Sequence, residues 1–314
     1  MAEPHSARST QHSALLVHSA LTSVAVLFSL NYIISKIALG AFNAFTFAYL
    51  RVLGAAIVLN LLLHDRNAPP LSRDDRRRIV LYALLGVVVN QTMFLTGLSL
   101  TSAHVAAILI TTIPLFALAA AIGLGQERAT VARFGGIFLA ALGALAVVGG
   151  ERISGAMKPL IGDLLIVINS LSYAIYLVIS KPMMSRLSPR RVIARMFAAG
   201  AVMMLPIAAV PMMRQRWSAV PPRAWIALAL VIAGPTIAAY VINAWTLRHT
   251  DASLVATYTY LQPVITVVLA AIFLGEQIRP IALVAAVMIF AGVRIAGRPA
   301  PPAATDEAVP GSPD

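Results

Sequence analysis

The 314-residue sequence contains no cysteine, which excludes disulfide scaffolds, thiol catalysis and Cys-ligated zinc or iron–sulfur sites. It also lacks the Gly-x-x-x-x-Gly-Lys-Ser/Thr loop that holds nucleotide phosphates, and no His-Glu-x-x-His pattern is present to bind a metal. No Gly-x-Ser-x-Gly segment marks a hydrolase. We therefore expect no enzymatic activity, no cofactor and no metal site.

Charged residues are also scarce. They make up 11% of the chain, against about 25% in an ordinary soluble domain, while hydrophobic residues make up 59%. With a mean hydropathy of +0.84, the chain has too little polar surface to cover a soluble core. The sequence predicts an integral membrane protein that is surrounded by the lipid bilayer.

The net charge of +12 does not indicate a nucleic-acid partner. The 24 basic residues are spread over short segments between apolar runs, without a basic face interleaved with aromatic residues. If the N-terminus is cytoplasmic, fifteen of them fall on the inner side and six on the outer side. Because cytoplasmic loops carry the excess of Lys and Arg, we expect both termini in the cytoplasm, with the chain in a bacterial-type inner membrane.

Apolar runs with few charges recur ten times along the chain. A helix needs about 20 predominantly apolar residues to cross a bilayer. We therefore predict an all-α polytopic membrane protein with ten transmembrane helices. The predicted helices cover residues 14–39, 43–63, 79–99, 103–124, 131–149, 162–181, 192–213, 224–247, 252–274 and 279–297.

The two halves of the sequence correspond to each other at a shift of 149 residues. In this register Pro114 falls on Pro263, and Glu127 falls on Glu276. Each half holds five predicted helices, an odd number, so the second half must be inverted relative to the first. The prediction is a 5+5 inverted-topology repeat, which is typical of secondary transporters.

The repeat divides the chain into five segments. They are a cytoplasmic N-terminal segment (1–13), a first five-helix repeat (14–149), a connecting loop (150–161), a second five-helix repeat (162–297) and a disordered cytoplasmic tail (298–314). Two similar halves can rock about a midplane site, so we expect transport by alternating access. Two alternatives stay open: a passive channel and a non-transporting membrane receptor or sensor.

The chain also resembles the EamA-type ten-helix transporters of the drug/metabolite transporter superfamily. The resemblance rests on Phe-Ser-Leu-Asn-Tyr at residues 28–32 followed by Lys36, on Arg51, on residues 101–103 leading to Pro114, and on Leu-Gly-Glu at residues 274–276. It implies a central cavity between helices 1–4 and 6–9, with helices 5 and 10 at the periphery. It also implies export of a small-molecule substrate. We expect the chain to work as a monomer.

Two cations inside the predicted helices are candidates for the substrate site. A charge at the centre of a membrane helix costs roughly 2.5–3.5 kcal/mol on insertion scales, so it usually has a function. Lys36 and Arg51 could receive a substrate carboxylate, and Arg51 is better suited, because its forked donors can bind at two points. The alternative is that both side chains snorkel to the interface. Arg51 recurs near Arg195 in the second half. Amino acids are the favoured substrates among small amphipathic metabolites.

Polar side chains form stripes at helical spacing within several predicted helices. We predict that six polar residues line the substrate cavity: Asn31, Asn90, Tyr173, Tyr176, Tyr240 and Tyr258. The alternative role for such residues is hydrogen bonding between helices, which is worth about 0.6 kcal/mol on average.

Pro114 and Pro263 interrupt two symmetry-related helices, and we predict that they act as hinges for alternating access. The alternative is a static bend. Glu127 and Glu276 close the same two helices, where we expect salt bridges or helix caps. The acidic residues of the later spans lie near helix ends, which disfavours coupling through a midplane carboxylate.

Overall fold

The computed structural model of the protein describes residues 4–62, 70–126, 130–153, 157–250, 252–277 and 280–296. Within these residues the chain is helical apart from short connections, and it contains no strand. The described residues form ten helices: α1 (Pro4–Leu39), α2 (Ala44–Leu62), α3 (Arg73–Leu100), α4 (Ala103–Gly123), α5 (Val131–Ile153), α6 (Met157–Arg186), α7 (Pro189–Arg214), α8 (Pro222–His249), α9 (residues 252–274) and α10 (Pro280–Ala296).

Eight of these helices are long and apolar enough to cross a bilayer on their own. The other two are α5, whose apolar stretch is shorter, and α10, which has 17 residues. Each is the fifth helix of its repeat, and the two pack against each other. The prediction of an all-α polytopic membrane protein is confirmed.

Several helix boundaries differ from those predicted from the sequence. Helix α1 begins at Pro4, so it includes most of the predicted N-terminal segment. Helix α5 runs to Ile153 and α6 begins at Met157, so both helices extend into the predicted loop over residues 150–161. An apolar run predicts only the part of a helix that lies inside the bilayer. Helical turns that continue into polar residues are not predicted by apolar length. The predicted tail, residues 298–314, lies outside the described residues.

The contacts between helices follow a two-fold relation between the halves. Helix α2 packs against α7, α4 against α9 and α5 against α10, and each pair is the same helix of the two repeats. The contact of α3 with α6 has its counterpart in α8 with α1, and that of α4 with α6 in α9 with α1. With five helices in each half, these contacts describe an inverted repeat.

The third helix of each half is interrupted by a π-helical stretch. In α3 this stretch is Leu84–Val89, and in α8 it is Ile232–Ala238. The shift of 149 residues superimposes the two stretches to within one residue. A π-helical turn disturbs the regular backbone bonding and often lies at a functional site. In α3 the hydroxyl of Ser172 donates to the carbonyl of Leu85 over 2.8 Å, which satisfies one backbone group from a neighbouring helix.

The fourth helix of each half is broken beside a predicted hinge proline. In α4 the first segment ends at Ile110, and the second begins at Ile113 with Pro114 in its first turn. In α9 a 3-10 turn, Tyr258–Tyr260, precedes the segment whose first turn holds Pro263. Proline fits the first turn of a helix because its missing N–H needs no partner there. The breaks are present in both halves, and their use as hinges stays a prediction.

Glu276 confirms the expectation of a helix cap. Gly275, at φ 64° in the left-handed region, ends α9 immediately before it. The Glu276 carboxylate accepts hydrogen bonds from the backbone N–H groups of Ala103 (2.8 Å) and His104 (3.1 Å), and it lies 2.8 Å from His104 Nδ1. Burial raises the pKa of Glu276, but these hydrogen bonds more than offset it and hold the pKa below its ordinary value. Glu127 lies outside the described residues.

Candidate functional site

A cavity of about 60 Å³ lies where α1–α4 meet α6, α8 and α9. Its lining residues are Phe28, Asn31, Tyr32, Arg51, Asn90, Gln91, Phe94, Ile110, Ile113, Asn169, Tyr173, Tyr240, Thr259 and Gln262. This volume holds a few waters, at roughly 10–15 Å³ for each, whereas ligand pockets measure roughly 300–1,000 Å³. A metabolite can therefore bind here only if the surrounding helices move apart.

The cavity lies on the pseudo-two-fold axis between the repeats. Three pairs of lining residues correspond under the shift of 149 residues: Gln91 and Tyr240, Ile110 and Thr259, and Ile113 and Gln262. In the first pair, Gln91 Nε2 donates to the Tyr240 hydroxyl over 2.9 Å. Two positions related by a two-fold axis can be in contact only near that axis. The cavity therefore lies near the axis, and both halves contribute residues to its lining.

Amide side chains and one tyrosine form a connected network along one wall. Asn90 Nδ2 donates to Asn169 Oδ1 over 2.7 Å, and Gln91 Nε2 lies 3.0 Å from Asn90 Oδ1. The hydroxyl of Tyr240 lies 2.9 Å from Asn90 Oδ1 and 3.1 Å from the carbonyl of Gly86, which belongs to the π-helical stretch of α3. This network joins α3, α6 and α8, so the wall is fixed by contacts between the two halves.

Arg51 brings a positive charge to the cavity from α2. Arg51 is 1% exposed, and its Nε donates to the hydroxyl of Thr236 over 2.5 Å. That hydroxyl in turn donates to the carbonyl of Val231 at the π-helical stretch of α8. Nη1 of Arg51 is buried and has no hydrogen-bond partner among the described residues. None of the described residues that line the cavity is acidic. The site thus holds a guanidinium with spare donor capacity.

Aromatic rings form much of the remaining wall. Tyr32 meets Phe94 edge-on at 5.4 Å between ring centroids, and Tyr240 meets Phe28 in the same way at 6.3 Å. The Tyr173 ring lies 6.3 Å from that of Tyr240. Edge-to-face packing holds such rings in a defined orientation. The cavity therefore combines one cation, several amides and an aromatic surface, which suits an amphipathic ligand.

A second, larger cavity of about 960 Å³, here called the vestibule, lies at the ends of α1 and α7 and at the start of α8. Its lining residues are Lys36, Ile37, Gly40, Ala41, Asn43, Val210, Pro211, Arg214, Gln215, Arg216, Ala219, Pro221 and Arg223. Lys36 Nζ donates to the carbonyl of Thr101 over 2.5 Å, at the junction of α3 and α4.

Sequence comparison decides the family. Residues 16–149 and 160–298 each match the family of EamA-like transporters, so the match is repeated once in each half. The chain belongs to the EamA-like transporter family. This confirms the resemblance to the drug/metabolite transporter superfamily, and the protein is a multi-pass membrane transporter.

Two individual proteins resemble this chain, one in sequence and one in fold. An uncharacterized transporter of Archaeoglobus fulgidus is 26% identical over 278 residues, which span 88% of this chain and 95% of that protein. A protein of known crystal structure superimposes with a TM-score of 0.62 over 91% of this chain and 97% of its own, at 17% identity. The second similarity concerns the fold alone.

Five of the eight predicted substrate-binding residues of this EamA-like transporter line the central cavity. They are Asn31, Arg51, Asn90, Tyr173 and Tyr240. All five are polar residues inside predicted spans, where an unneeded polar side chain is costly.

The other three predicted residues lie elsewhere. Lys36 lines the vestibule. Tyr176 packs its ring over Gly86, where a Cβ atom would come within 2.8 Å of the ring. The hydroxyl of Tyr258 lies 2.5 Å from Nδ1 of His18 in α1. Spacing along a helix identifies a polar stripe but does not give the direction in which the stripe faces, so a neighbouring position can face the cavity instead.

Arg195, which recurs near Arg51 in the second half of the sequence, has a different environment. It is exposed on α7, whereas Arg51 is buried. A near match in register does not specify which side of a helix faces the axis.

Several cavity residues were missed. Gln91, Asn169 and Gln262 are polar residues inside spans and carried the same signal as the predicted ones. Gln91 could have been found from Tyr240, because the repeat places them on equivalent positions. Phe94 and the isoleucines at the break of α4 could not be identified from the sequence. Apolar side chains are as common on the lipid-facing surface as in the cavity.

Proposed function

We propose that the protein is a secondary transporter that exports small amphipathic carboxylates, amino acids first, by alternating access across a bacterial-type inner membrane. The observation that carries the substrate class is Arg51. Its guanidinium is buried on the cavity wall with Nη1 unpartnered among the described residues, and the cavity lining there is free of acidic groups. A buried charge of this kind is stabilised by an ionised partner, and an Arg fork matches a carboxylate at two points.

The rest of the lining suits the other parts of an amino acid. Gln91 Oε1 is a buried acceptor without a partner among the described residues, and it could accept a hydrogen bond from an ammonium group. The aromatic rings of Phe28 and Phe94 offer apolar surface to a side chain. The substrate we propose thus has a carboxylate, a donor and an apolar group close together.

The repeat supports alternating access over a passive channel. The cavity lies on the pseudo-two-fold axis, and at about 60 Å³ it is too small for continuous passage of a metabolite. Equivalent breaks beside Pro114 and Pro263 give each half a place where one helix can change its angle. A carrier of this design needs no covalent chemistry, and we propose that both termini lie in the cytoplasm.

The test is counterflow in proteoliposomes with three solutes of similar size. Leucine has both charges, 4-methylpentanoate lacks the ammonium group, and leucinamide lacks the carboxylate. We expect vesicles preloaded with unlabelled solute to accumulate labelled leucine and, to a lesser extent, labelled 4-methylpentanoate. Labelled leucinamide should not accumulate. Equal transport of leucinamide would contradict the carboxylate site. Flux without trans-stimulation would indicate a channel, and no flux of any of the three would refute the substrate class.

The role of Arg51 is tested by Arg51→Gln beside Arg195→Gln. Both variants remove one positive charge, but only Arg51 lies at the cavity. Losing one partner of a buried charged pair costs about 2 kcal/mol or more, so we expect the KM for leucine to rise roughly 30-fold with Arg51→Gln. Arg195→Gln should leave transport unchanged. An unchanged KM in a correctly folded Arg51→Gln protein would refute this role.

A further inference from the structure

The vestibule is lined by four cations: Lys36, Arg214, Arg216 and Arg223. None of the described residues that line it is acidic. Each exposed charge contributes little alone, since a surface ion pair is worth about 0–1 kcal/mol. Several charges of one sign in a concave surface reinforce one another, because the low-dielectric walls focus the field. The vestibule is therefore a region of positive potential that attracts anions.

The placement of these charges runs against the general distribution of charge in the chain. In the topology proposed above, the vestibule is on the outer side, where basic residues are depleted. Three of the six basic residues expected outside nevertheless cluster around the connection between α7 and α8: Arg214 ends α7, Arg216 lies in the connection, and Arg223 lies in the first turn of α8. Topology alone gives no reason for this cluster.

The wall that carries these arginines is held in place by specific contacts. Gln215 lies between Arg214 and Arg216, and its amide binds the turn between α1 and α2 from both ends. Its Oε1 accepts a hydrogen bond from the backbone N–H of Asn43 over 2.9 Å, and its Nε2 donates to the carbonyl of Ala41 over 3.0 Å. The backbone beside the two arginines is therefore fixed to the other half of the protein, which preorganises the vestibule.

One face of α1 leads from the vestibule to the central cavity. Phe28, Tyr32 and Lys36 follow one another at a spacing of four residues, so they lie on one face of the helix. Phe28 and Tyr32 line the central cavity, and Lys36 lines the vestibule. Lys36 is thus the cation of the vestibule that lies nearest along the chain to the substrate site.

We propose that the vestibule is a second anion-binding site, which captures the carboxylate of the transported solute on the outer side and passes it to or from the central cavity. This proposal rests on the proposed function, because it assumes a carboxylate substrate. The same oxyanion chemistry occurs in the head groups of acidic phospholipids. The continuity along α1 favours the solute, and the lipid is an outcome that the experiment separates.

The first experiment measures anion binding without transport. In Trp225→Phe/Trp245→Phe protein the remaining tryptophan, Trp217, directly follows Arg216 in the chain and is 38% exposed. The experiment measures how far three quenchers reduce the fluorescence of Trp217 in neutral detergent. The quenchers are the anion iodide, the cation caesium and neutral acrylamide. We expect iodide to quench it more than acrylamide at low salt, and the excess to disappear at about 0.5 M salt, where charges are screened.

The variant for this experiment replaces Arg214, Arg216 and Arg223 by Gln. A potential of one kT changes the local iodide concentration roughly threefold, so we expect the ratio of iodide to acrylamide quenching to fall about threefold or more. Arg195→Gln, on α7 like Arg214 but outside the vestibule, should leave the ratio unchanged. Added 4-methylpentanoate should protect Trp217 from iodide, and leucinamide should not. An unchanged ratio in the triple variant would overturn the proposal even if leucine counterflow were intact.

The second experiment measures transport in vesicles of neutral phosphatidylcholine. We expect the triple variant to raise the KM for leucine on the vestibule side roughly tenfold while kcat is kept, since electrostatic focusing acts on capture. If quenching falls but KM does not, the vestibule binds anions without handling the substrate, and the proposal is wrong. Protection of Trp217 by an acidic phospholipid but not by 4-methylpentanoate would likewise overturn it, in favour of a lipid site.

Discussion

The two halves of the transporter share a backbone but differ in the side chains that it carries. Each has a π-helical stretch in its third helix and a break beside a proline in its fourth. Corresponding positions nevertheless hold different residues: Gly97 corresponds to Thr246, and Gln91 to Tyr240. A symmetric backbone can supply two equivalent arrangements of the helices. In the proposed alternating-access cycle, the unequal side chains would decide which arrangement is more stable and what the cavity binds.

The largest effect is expected where one half depends on glycine and the other does not. Helices α3 and α6 approach so closely that a Cβ atom on Gly97 would lie 2.8 Å from the carbonyl oxygen of Gly162. In the second half the corresponding position holds the buried side chain of Thr246. Gly97→Ala should therefore lower the free energy of unfolding by about 1–3 kcal/mol, because two backbones must separate. Thr246→Ala should cost about 1 kcal/mol, the value of one hydrogen bond.

These changes are measured as unfolding in mixed micelles with increasing SDS, and Gly123→Ala is the matched control. A Cβ atom at Gly123, the last residue of α4, would meet nothing within 4 Å, so this substitution should change the free energy of unfolding by less than about 0.5 kcal/mol. If Gly97→Ala were as stable as Gly123→Ala, the close approach of α3 and α6 would be disproved.

A smaller effect is expected from the cap that Glu276 places on the first turn of α4. Glu276→Gln keeps the shape but removes the charge that faces Ala103 N, His104 N and His104 Nδ1. We expect a loss of about 1–2 kcal/mol, the range of a helix cap with a charged hydrogen bond. Asp74→Asn removes an exposed carboxylate from α3 and should change stability by less than about 0.5 kcal/mol.

The pH dependence of that loss follows from the direction of the pKa shift. The pKa of Glu276 in the folded protein is lower than its ordinary value of 4.5, so the unfolded chain takes up its proton first as the pH falls. The stabilisation is complete well above 4.5 and is lost as the pH falls through the lowered pKa. The difference between wild type and Glu276→Gln should therefore be full at neutral pH and vanish in acid. A difference that grows in acid would contradict the assigned shift.

The fold could be predicted from the sequence to the level of helices and their repeat. Apolar length defines a membrane helix, and Pro114 and Pro263 mark breaks because proline cannot donate a backbone hydrogen bond. The π-helical stretches could not be predicted. In the π-helical stretch of α3, the carbonyl of Leu85 accepts a hydrogen bond from the hydroxyl of Ser172 on α6. The sequence of α3 alone does not indicate that this partner exists.

The cavity could be predicted where its lining is polar. Arg51 and Asn90 are conspicuous in apolar helices because their burial needs a reason, whereas Phe94 and Ile113 resemble any residue that faces lipid. Tyr258 shows the remaining difficulty. It lies next to the cavity residue Thr259 but turns toward α1, and the turn that decides this exists only once α9 is packed.

The smallest effect concerns two contacts at opposite faces of the membrane. One joins α3 to α6, and the other joins α8 to the turn between α1 and α2. Asp75 of α3 forms an ion pair with Arg186 of α6, whose side chain is 58% exposed. At the other face, Trp225 in the first turn of α8 meets Phe42, in the turn between α1 and α2, edge-on at 5.2 Å between ring centroids. Under the shift of 149 residues, Trp225 lies one residue from the counterpart of Asp75. One face is thus joined by charge and the other by an aromatic contact.

These two contacts should respond differently to salt. A double-mutant cycle with Asp75→Asn and Arg186→Gln should give a coupling of about 0–1 kcal/mol, which shrinks as salt screens the exposed pair. Phe42→Leu with Trp225→Leu should give about 0.5–1.5 kcal/mol beyond the lost area, with no dependence on salt. A salt-insensitive coupling at Asp75 and Arg186 would mean that the pair is shielded from solvent. The two faces would then be closed by contacts of similar strength, and the balance between the two arrangements would have to come from the cavity.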